Sequence, residues 1–492
     1  MNTDYLKRSP WRVGIFALLL FLGGLWYARA HWGGPMLFGH KKTLSSKNFA
    51  KLTEVVQWKT DTGVSVYFLP RPEFGGVDIR IAIGAGTARD GQLPGRSTLV
   101  AGLLDEGTQD WSADELAEKI DALGLNYRTS SQREMMVTRV RALADPAVLK
   151  EAGVLLSSML SKPLFAEKSI NLVKQQCLLE VQQDEQMPAR VAQFAFLKTL
   201  YPGHPYSTPP CGTRDSINAI QAADLKAFHA QYMVANNVFV TIVGGITEKQ
   251  AKTLANDITA NLRAGAEPAP IPSIPKLAAT EQKIPLHTEQ AHVMWGQPCL
   301  VINDPNDAPL QIGSRVLGGP TLVSRLFQAV RVQNGLAYQV NSYLQALSQP
   351  GPCLIKLQTQ APQADKAVSI MKDTVKQFVQ EGPTEAELSG AKQGYMTSII
   401  DAFSSNESIA DTINQLHFYH LPLDFIQDQV EQVKSLTPEQ VRSAFQRRLD
   451  LNNMALVVVG GISDTKDMTT KGATSTTPLP PPLSNDTKDR AP

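Results

Sequence analysis

The stretch Gly95-Arg96-Ser97-Thr98-Leu99-Val100-Ala101-Gly102-Leu103-Leu104-Asp105-Glu106-Gly107-Thr108 decides the interpretation of this 492-residue chain. Its apolar residues recur with helical spacing, and glycine commonly follows the last residue of a helix. We therefore predict an apolar helix that ends at Gly107. The stretch contains no histidine or cysteine, so it lacks the two side chains that most often bind zinc.

Several segments that follow this helix in the chain form a recognisable pattern together with it. A predicted helix over 116–124 leads through a glycine turn into a predicted edge strand at 125–130. Three shorter segments also belong to the pattern. Residues 163–165 lead into a predicted long helix through Glu180, and residues 201–205 and 212–213 follow it. The segment with the most distinctive sequence runs from Leu317-Gly318-Gly319 through Ser324-Arg325-Leu326-Phe327 to Arg331, Gly335, Leu336, Ala337 and Tyr338.

Across about residues 50 to 463, this pattern resembles the pitrilysin-like zinc peptidases, the inverted zincins that include the mitochondrial processing peptidase. In that family the helix carries H-x-x-E-H, whose histidines bind zinc and whose glutamate activates water. Counting back from Gly107, those positions are Thr98, Ala101 and Gly102. The resemblance thus implies a degenerate zinc motif, with no metal and no catalytic residue in this chain alone.

The two halves of the chain repeat one another. The segment 228–246 parallels 445–462, each with a helix, an Asn-Asn pair, an apolar strand and Gly-Gly-Ile. Helical stripes alternate with period-2 strands in both halves, which predicts α+β architecture. We predict two homologous α/β-layer lobes, and the family resemblance implies that they form a clamshell around a peptide cleft.

Composition divides the chain further. Residues 264–285 are rich in proline and alanine and suit an extended linker, while the polar and proline-rich residues 464–492 are predicted to be disordered. The predicted domains are a membrane anchor or signal peptide over 1–30, an N-terminal lobe over 45–263, the linker over 264–285, a C-terminal lobe over 286–463 and the tail over 464–492.

The N-terminus has the features of a targeting segment. Lys7, Arg8 and Arg12 precede an apolar run over 13–28. Positive charges flanking such a run stay in the cytoplasm. We predict a single-pass protein of a bacterial inner membrane with its body in the periplasm. The alternative is cleavage after Ala30, since Ala28-Arg29-Ala30 has the small-x-small form of a signal-peptidase site, which would leave a soluble periplasmic protein.

Charge and cysteine content exclude some function classes. A net charge of +1 gives no electrostatic reason to expect nucleic-acid binding. The four cysteines are far apart, without C-x-x-C spacing, and we interpret them as buried or indifferent thiols. They are Cys177, Cys211, Cys299 and Cys353.

Other possible metal ligands are interpreted as structural. Glu180 lies about where the family has its distal zinc-binding carboxylate, but one carboxylate without the histidines completes no site. His417 and His420 share a helical face, in a segment that resembles a family helix where aromatic and histidine side chains pack. His204, between Gly203 and Pro205, belongs to a turn.

The candidate substrate-binding residues are Arg331 and Tyr338. The spacing predicts a helix from near Leu322 through Arg331, a left-handed Gly335 and a strand that includes Tyr338. In the family such a pair faces the zinc helix and holds a peptide carbonyl. On spacing alone, an arginine that caps helix carbonyls and a half-buried strand tyrosine are the better explanation of the two residues. The match of the surrounding segment to the family favours the substrate-binding role.

Some relatives divide these tasks between two chains. The resemblance then implies a non-catalytic subunit of a two-chain zinc peptidase, which binds peptide and completes the active site of an H-x-x-E-H partner that holds the zinc. The alternative is a scaffold or peptide-binding protein of the same fold with no role in proteolysis.

Overall fold

The N-terminal lobe is built on a six-stranded sheet. The computed structural model describes residues 52–73 and 75–461. The strand order is β1-β2-β6-β3-β5-β4, with β2 and β6 parallel and all other neighbours antiparallel. The strands are β1 (Val56–Lys59), β2 (Ser65–Pro70), β3 (Gly76–Ile83), β4 (Asn126–Ser131), β5 (Met136–Leu143) and β6 (Val238–Gly244). The predicted edge strand at 125–130 is therefore present as β4.

The helices of this half, with the exception of Pro188–Leu200, pack their apolar stripes on one face of the sheet. They are α1 (Arg96–Leu103), α2 (Ala113–Ala122), α3 (Pro146–Ser161), α4 (Glu167–Gln186), α5 (Pro188–Leu200), α6 (Arg214–Ala219), α7 (Ala222–Tyr232) and α8 (Glu248–Thr259). Helix α1 ends at Leu103, and residues 104–106 form a turn. The predicted end at Gly107 is thus four residues too late, because the left-handed Gly107 (φ +101°) closes that turn and not the helix.

The C-terminal lobe repeats the sheet without its first strand. Its order is β7-β11-β8-β10-β9, again with one parallel pair, β7 and β11. The strands are β7 (Thr280–Ile284), β8 (Gln290–Leu300), β9 (Ala337–Leu344), β10 (Gly351–Gln360) and β11 (Ala455–Gly460). The duplication predicted from the sequence is therefore present. The segment 264–285 differs from the prediction at its end, because β7 pairs with β11 there.

A second set of helices, with the exception of Asn406–Phe418, covers one face of this sheet. They are α9 (Asp307–Gly318), α10 (Ala364–Glu381), α11 (Glu385–Ala402), α12 (Asn406–Phe418), α13 (Phe425–Ser435) and α14 (Pro438–Arg448). A π-helix at Phe327–Val332 precedes β9. Leu322 lies in the turn before this segment, so the predicted helix begins later than expected.

The two lobes exchange a helix. Helix α5 comes from the N-terminal half but packs Phe196 and Leu200 against Met294 and Val457 of the C-terminal sheet. Helix α12 comes from the C-terminal half and packs Ile413 in one cluster with apolar residues of the N-terminal sheet. Each sheet is therefore covered on its second face by a helix of the other half, which fixes the lobes to one another.

A buried arginine anchors one of the exchanged helices. Arg80 of β3 is 1% exposed, and its Nε donates to Asp411 Oδ1 of α12 at 2.7 Å. Its Nη2 donates to the carbonyl of Glu407, also on α12, at 3.2 Å. Arg139 of β5 donates to the same Asp411 oxygen at 3.2 Å. Because a buried guanidinium needs partners for its charge and its donors, α12 is held at this position on the sheet.

The interpretation of all four cysteines as thiols is wrong for two of them. Cys299 and Cys353 form a disulfide between β8 and β10, whereas Cys177 and Cys211 are free and buried. The bonded pair is 54 residues apart in sequence. Spacing could not reveal it, because only the antiparallel pairing of β8 with β10 brings the two side chains together.

The predicted N-terminal anchor or signal segment and the predicted tail lie outside the described residues. Within residues 52–73 and 75–461, no helix combines the length and apolar character that a membrane span requires.

Candidate functional site

Helix α1 is held at its N-terminus by a buried carboxylate. Asp90 accepts hydrogen bonds from the amides of Gly95 and Ser97, each at 2.7 Å. Burial raises the pKa of this carboxyl to about 6, against the lowering effect of those bonds. Gly95 has φ +102°, and a Cβ there would lie 2.4 Å from the carbonyl oxygen of Cys211. The start of α1 therefore requires both a glycine and this aspartate.

The three positions of the zinc motif carry no metal ligand. The Thr98 hydroxyl donates to the carbonyl of Pro210 at 2.5 Å, and Ala101 is buried. A Cβ on Gly102 would lie 3.0 Å from Cγ1 of Val173 on α4, so a histidine there would displace the valine. These residues do not fit a zinc ion. In the described part of the chain, no group of three His, Cys, Asp or Glu side chains is arranged to hold a metal.

The carboxylate of Glu180 faces a thiol in this structure. Cys211 Sγ donates to Glu180 Oε2 at 3.3 Å. The pKa of the Cys211 thiol is raised, first by its hydrogen bond with Cys177 and then by burial. The raised pKa keeps this thiol protonated at neutral pH, and a thiol in that state is a poor nucleophile.

Arg331 and Tyr338 are brought together. Arg331 Nη1 donates to the Tyr338 carbonyl at 3.0 Å, and its guanidinium lies 5.0 Å from the centre of the Phe327 ring. Gly335 has φ +63°, and its amide donates to the Arg331 carbonyl at 2.9 Å, as the spacing predicts. The Tyr338 side chain is 57% exposed. An arginine and a phenol are thus presented at the start of an edge strand.

The π-helix that carries Arg331 adds to this site. Single π-helical turns are rare and are frequently found at functional sites. Tyr338 borders a cavity of about 590 Å³ whose lining includes Gln290 and Gln360. Within the described residues, no hydrogen bond or ion pair joins the Arg331–Tyr338 pair to Thr98, Ala101 or Gly102. The family resemblance implies that the two sets of residues face one another across a cleft, and this remains a prediction.

A cleft between the lobes lies near both regions in sequence. It has a volume of about 540 Å³ and lies between α4, α5 and the face of the C-terminal sheet on which α5 packs. Glu180 lies on its N-terminal wall, and Gln339, the residue after Tyr338, lies on its C-terminal wall. Sequence reasoning did not identify the other polar residues of this cleft, since nothing distinguishes them from ordinary exposed positions of helices and strands. They are Gln183, Asp184, Arg190, Gln193, His292, Asn341, Lys356 and Gln358.

The three histidines considered in the sequence, His417, His420 and His204, have structural contacts. His417 stacks on Tyr67 with ring centres 3.8 Å apart, and its Nε2 lies 2.8 Å from Ser65 Oγ. Burial lowers the pKa of His417 to about 3, so its ring is neutral. His420 contacts Phe239 edge to face. His204 accepts from the amide of Tyr206 at Nδ1 and donates from Nε2 to the Pro272 carbonyl, which holds the linker.

Comparison with known proteins places this geometry in a family. Residues 75–214 match the Insulinase (Peptidase family M16) domain, and residues 219–395 match the Peptidase M16 inactive domain. The crystal structure of a peptidase M16 inactive domain from Pseudomonas fluorescens superposes with a TM-score of 0.79 and 30% identity, covering 82% of this chain and 97% of that one.

Curated relatives carry two kinds of name. The non-peptidase homolog YmxG of Helicobacter pylori is 28% identical over 391 residues, 76% of this chain and 87% of its own length. An uncharacterized zinc protease, YmxG of Bacillus subtilis, is 25% identical over 358 residues, 72% of this chain and 86% of its own. Since the family matches fall in both lobes and the Pseudomonas domain is 30% identical across most of the chain, the protein belongs to peptidase family M16, the insulinase family.

Proposed function

We propose that this chain is the non-catalytic subunit of a two-chain zinc peptidase. One observation carries the proposal: the fold retains the exposed Arg331–Tyr338 pair, while the zinc-motif positions on α1 hold Thr98, Ala101 and Gly102. The names of the Pseudomonas fluorescens and Helicobacter pylori relatives, an inactive domain and a non-peptidase homolog, support a non-catalytic role. A homologous partner with H-x-x-E-H would supply the zinc and the general base.

The two lobes offer suitable surfaces for a peptide. β4 and β9 are edge strands of their sheets, and each follows a left-handed glycine, Gly124 or Gly335. An extended peptide binds such an edge through main-chain hydrogen bonds. From the π-helix and from β9, Arg331 and Tyr338 would reach a peptide carbonyl with a guanidinium and a phenol, which suits the charge that develops during peptide hydrolysis.

Zinc content and cleavage test the proposal. Purified alone, the chain is expected to bind no stoichiometric zinc and to cleave no peptide, because α1 supplies neither ligand nor base. Purified through a tag from its native cells, it is expected to bring down an H-x-x-E-H chain and one zinc per pair, and the pair is expected to cleave a quenched fluorescent peptide.

The control is a partner whose H-x-x-E-H glutamate is changed to glutamine. That pair should assemble and bind zinc but not cleave. One tightly bound zinc per isolated chain after dialysis against a weak chelator, or cleavage by the isolated chain, would refute the proposal.

We also propose that the body of the protein lies in the periplasm, attached by the N-terminal segment or released after cleavage at Ala30. The Cys299–Cys353 disulfide supports this, since such bonds persist in oxidising compartments. When cells are quenched with acid and the chain is denatured without reductant, iodoacetamide is expected to label two thiols, Cys177 and Cys211, and four after reduction.

A matched variant, Cys353→Ser, should show three labelled thiols before reduction. Four labelled thiols in the unreduced wild-type chain would mean that the bond is absent in cells, and the periplasmic location would lose its support.

A further inference from the structure

The walls of the interlobe cleft differ in charge. On the N-terminal wall, Arg190 Nε lies 3.3 Å from Asp184 Oδ1, so these two charges neutralise each other. Glu180 accepts a hydrogen bond from the Cys211 thiol. On the C-terminal wall, burial lowers the pKa of His292, so this imidazole is neutral at pH 7. The one formal charge on the C-terminal wall among the described lining residues is the ammonium of Lys356.

Among the described residues, Lys356 has no anionic partner. No carboxylate of the described residues lies within 4.0 Å of its Nζ, which lies 5.5 Å from the centre of the Tyr343 ring. The protein atoms that surround this side chain in the cleft lower its pKa, and the positive charge of Arg190 lowers it further. Solvent still reaches the side chain. A cation in this position is stabilised when an anion enters the cleft.

The surroundings of Lys356 suit a peptide backbone. Gln339 and Asn341 of β9 line the same cleft, and Lys356 pairs with Asn341 across the β9–β10 ladder. Their amides can donate to and accept from peptide groups. Since β9 is the edge of its sheet, a peptide paired with it would lie beside these side chains.

We propose that Lys356 binds a carboxylate of the peptide held in the interlobe cleft, an acidic side chain or the C-terminal carboxylate. The inference rests on the peptide-binding function proposed above and adds the chemical class of the preferred ligand. On the N-terminal wall Arg190 is paired with Asp184, and Glu180 is bonded to a neutral thiol. Among the described lining residues, Lys356 is therefore the unpaired cation and the group that discriminates between a charged and a neutral peptide.

Isothermal titration calorimetry of the full chain tests this inference. Three acetylated decapeptides of one uncharged sequence serve as probes: a free acid, a C-terminal amide, and an amide with one internal glutamate. The wild-type chain is expected to bind a carboxylate-bearing peptide about tenfold more tightly than the neutral amide, as one charge-assisted hydrogen bond gives. Comparison of the free acid with the glutamate peptide identifies the source of the carboxylate.

Lys356→Gln should abolish that preference, measured as the ratio of the affinities for the carboxylate-bearing and the neutral peptide, and Lys356→Arg should retain the preference. The matched control is Lys372→Gln, because Lys372 also lies over an aromatic ring, 5.8 Å from the centre of Trp295, but does not line the cleft. Equal wild-type affinity for all three peptides would overturn the inference and leave peptide binding intact. Loss of the preference in the Lys372 variant would also overturn it. If no peptide binds the wild-type chain, both the inference and the peptide-binding function fail.

Discussion

Replacing Tyr338 with phenylalanine is expected to lower kcat of the assembled peptidase by about 10²–10³-fold, the usual loss when one preorganised donor to a developing oxyanion is removed. The change removes a single hydroxyl from a side chain that is 57% exposed, so packing is kept. Steady-state cleavage by the co-purified pair measures the effect. Loss of ground-state binding alone would mainly raise KM.

Arg331→Ala should have a similar effect on kcat, but part of the loss would come from a change in the backbone of β9. Arg331 also donates to the carbonyl of Tyr338, so its removal frees the backbone of β9 at that point. The matched control is Tyr343→Phe, since Tyr343 is another exposed tyrosine of β9 and the change keeps its ring beside Lys356, so cleavage should be unchanged. Size-exclusion chromatography checks assembly.

Two results would contradict the proposed role of this pair. Unchanged kcat and kcat/KM in both Tyr338→Phe and Arg331→Ala would favour a scaffold of the same fold. Dissociation of the complex would mean that the two residues are structural.

The sequence predicts single elements of this fold well where periodicity is strong. The apolar stripe over 146–160 predicts a helix, and α3 covers Pro146–Ser161. The alternation over 353–359 predicts a strand, and β10 covers Gly351–Gln360. These predictions succeed because burial on one face imposes its period on the residues.

Relations between distant segments were not predictable in the same way. The apolar residues of α5 and α12 indicate burial, but periodicity does not say which sheet covers them, and both helices pack on the sheet of the other half. For the same reason the Cys299–Cys353 bond was missed. The sequence also could not show that Lys356 lacks an ion-pair partner among the described residues. The side chains around it come from three strands and two helices that meet in one cleft.

The exchange of α12 makes Arg80 the side chain with the largest expected effect on stability. Arg80→Ala is expected to lower the free energy of unfolding of the purified chain by about 3–5 kcal/mol, the usual cost of breaking a buried ion pair. The variant removes the donors to Asp411 and to the Glu407 carbonyl. It also leaves the buried Asp78, which is 3% exposed, with Arg141 as its remaining cation.

Urea unfolding followed by tryptophan fluorescence measures this change. The matched control is Lys283→Ala, because Lys283 Nζ lies 2.9 Å from Asp365 Oδ1 in a pair whose side chains are 57% and 88% exposed. Screening by water makes such a pair worth less than about 1 kcal/mol. If the two variants lose equal stability, Arg80 does not anchor α12. A separate early transition in the Arg80 variant would instead indicate that α12 detaches before the lobes unfold, because the apolar contacts of Ile413 and its neighbours would then hold the helix alone.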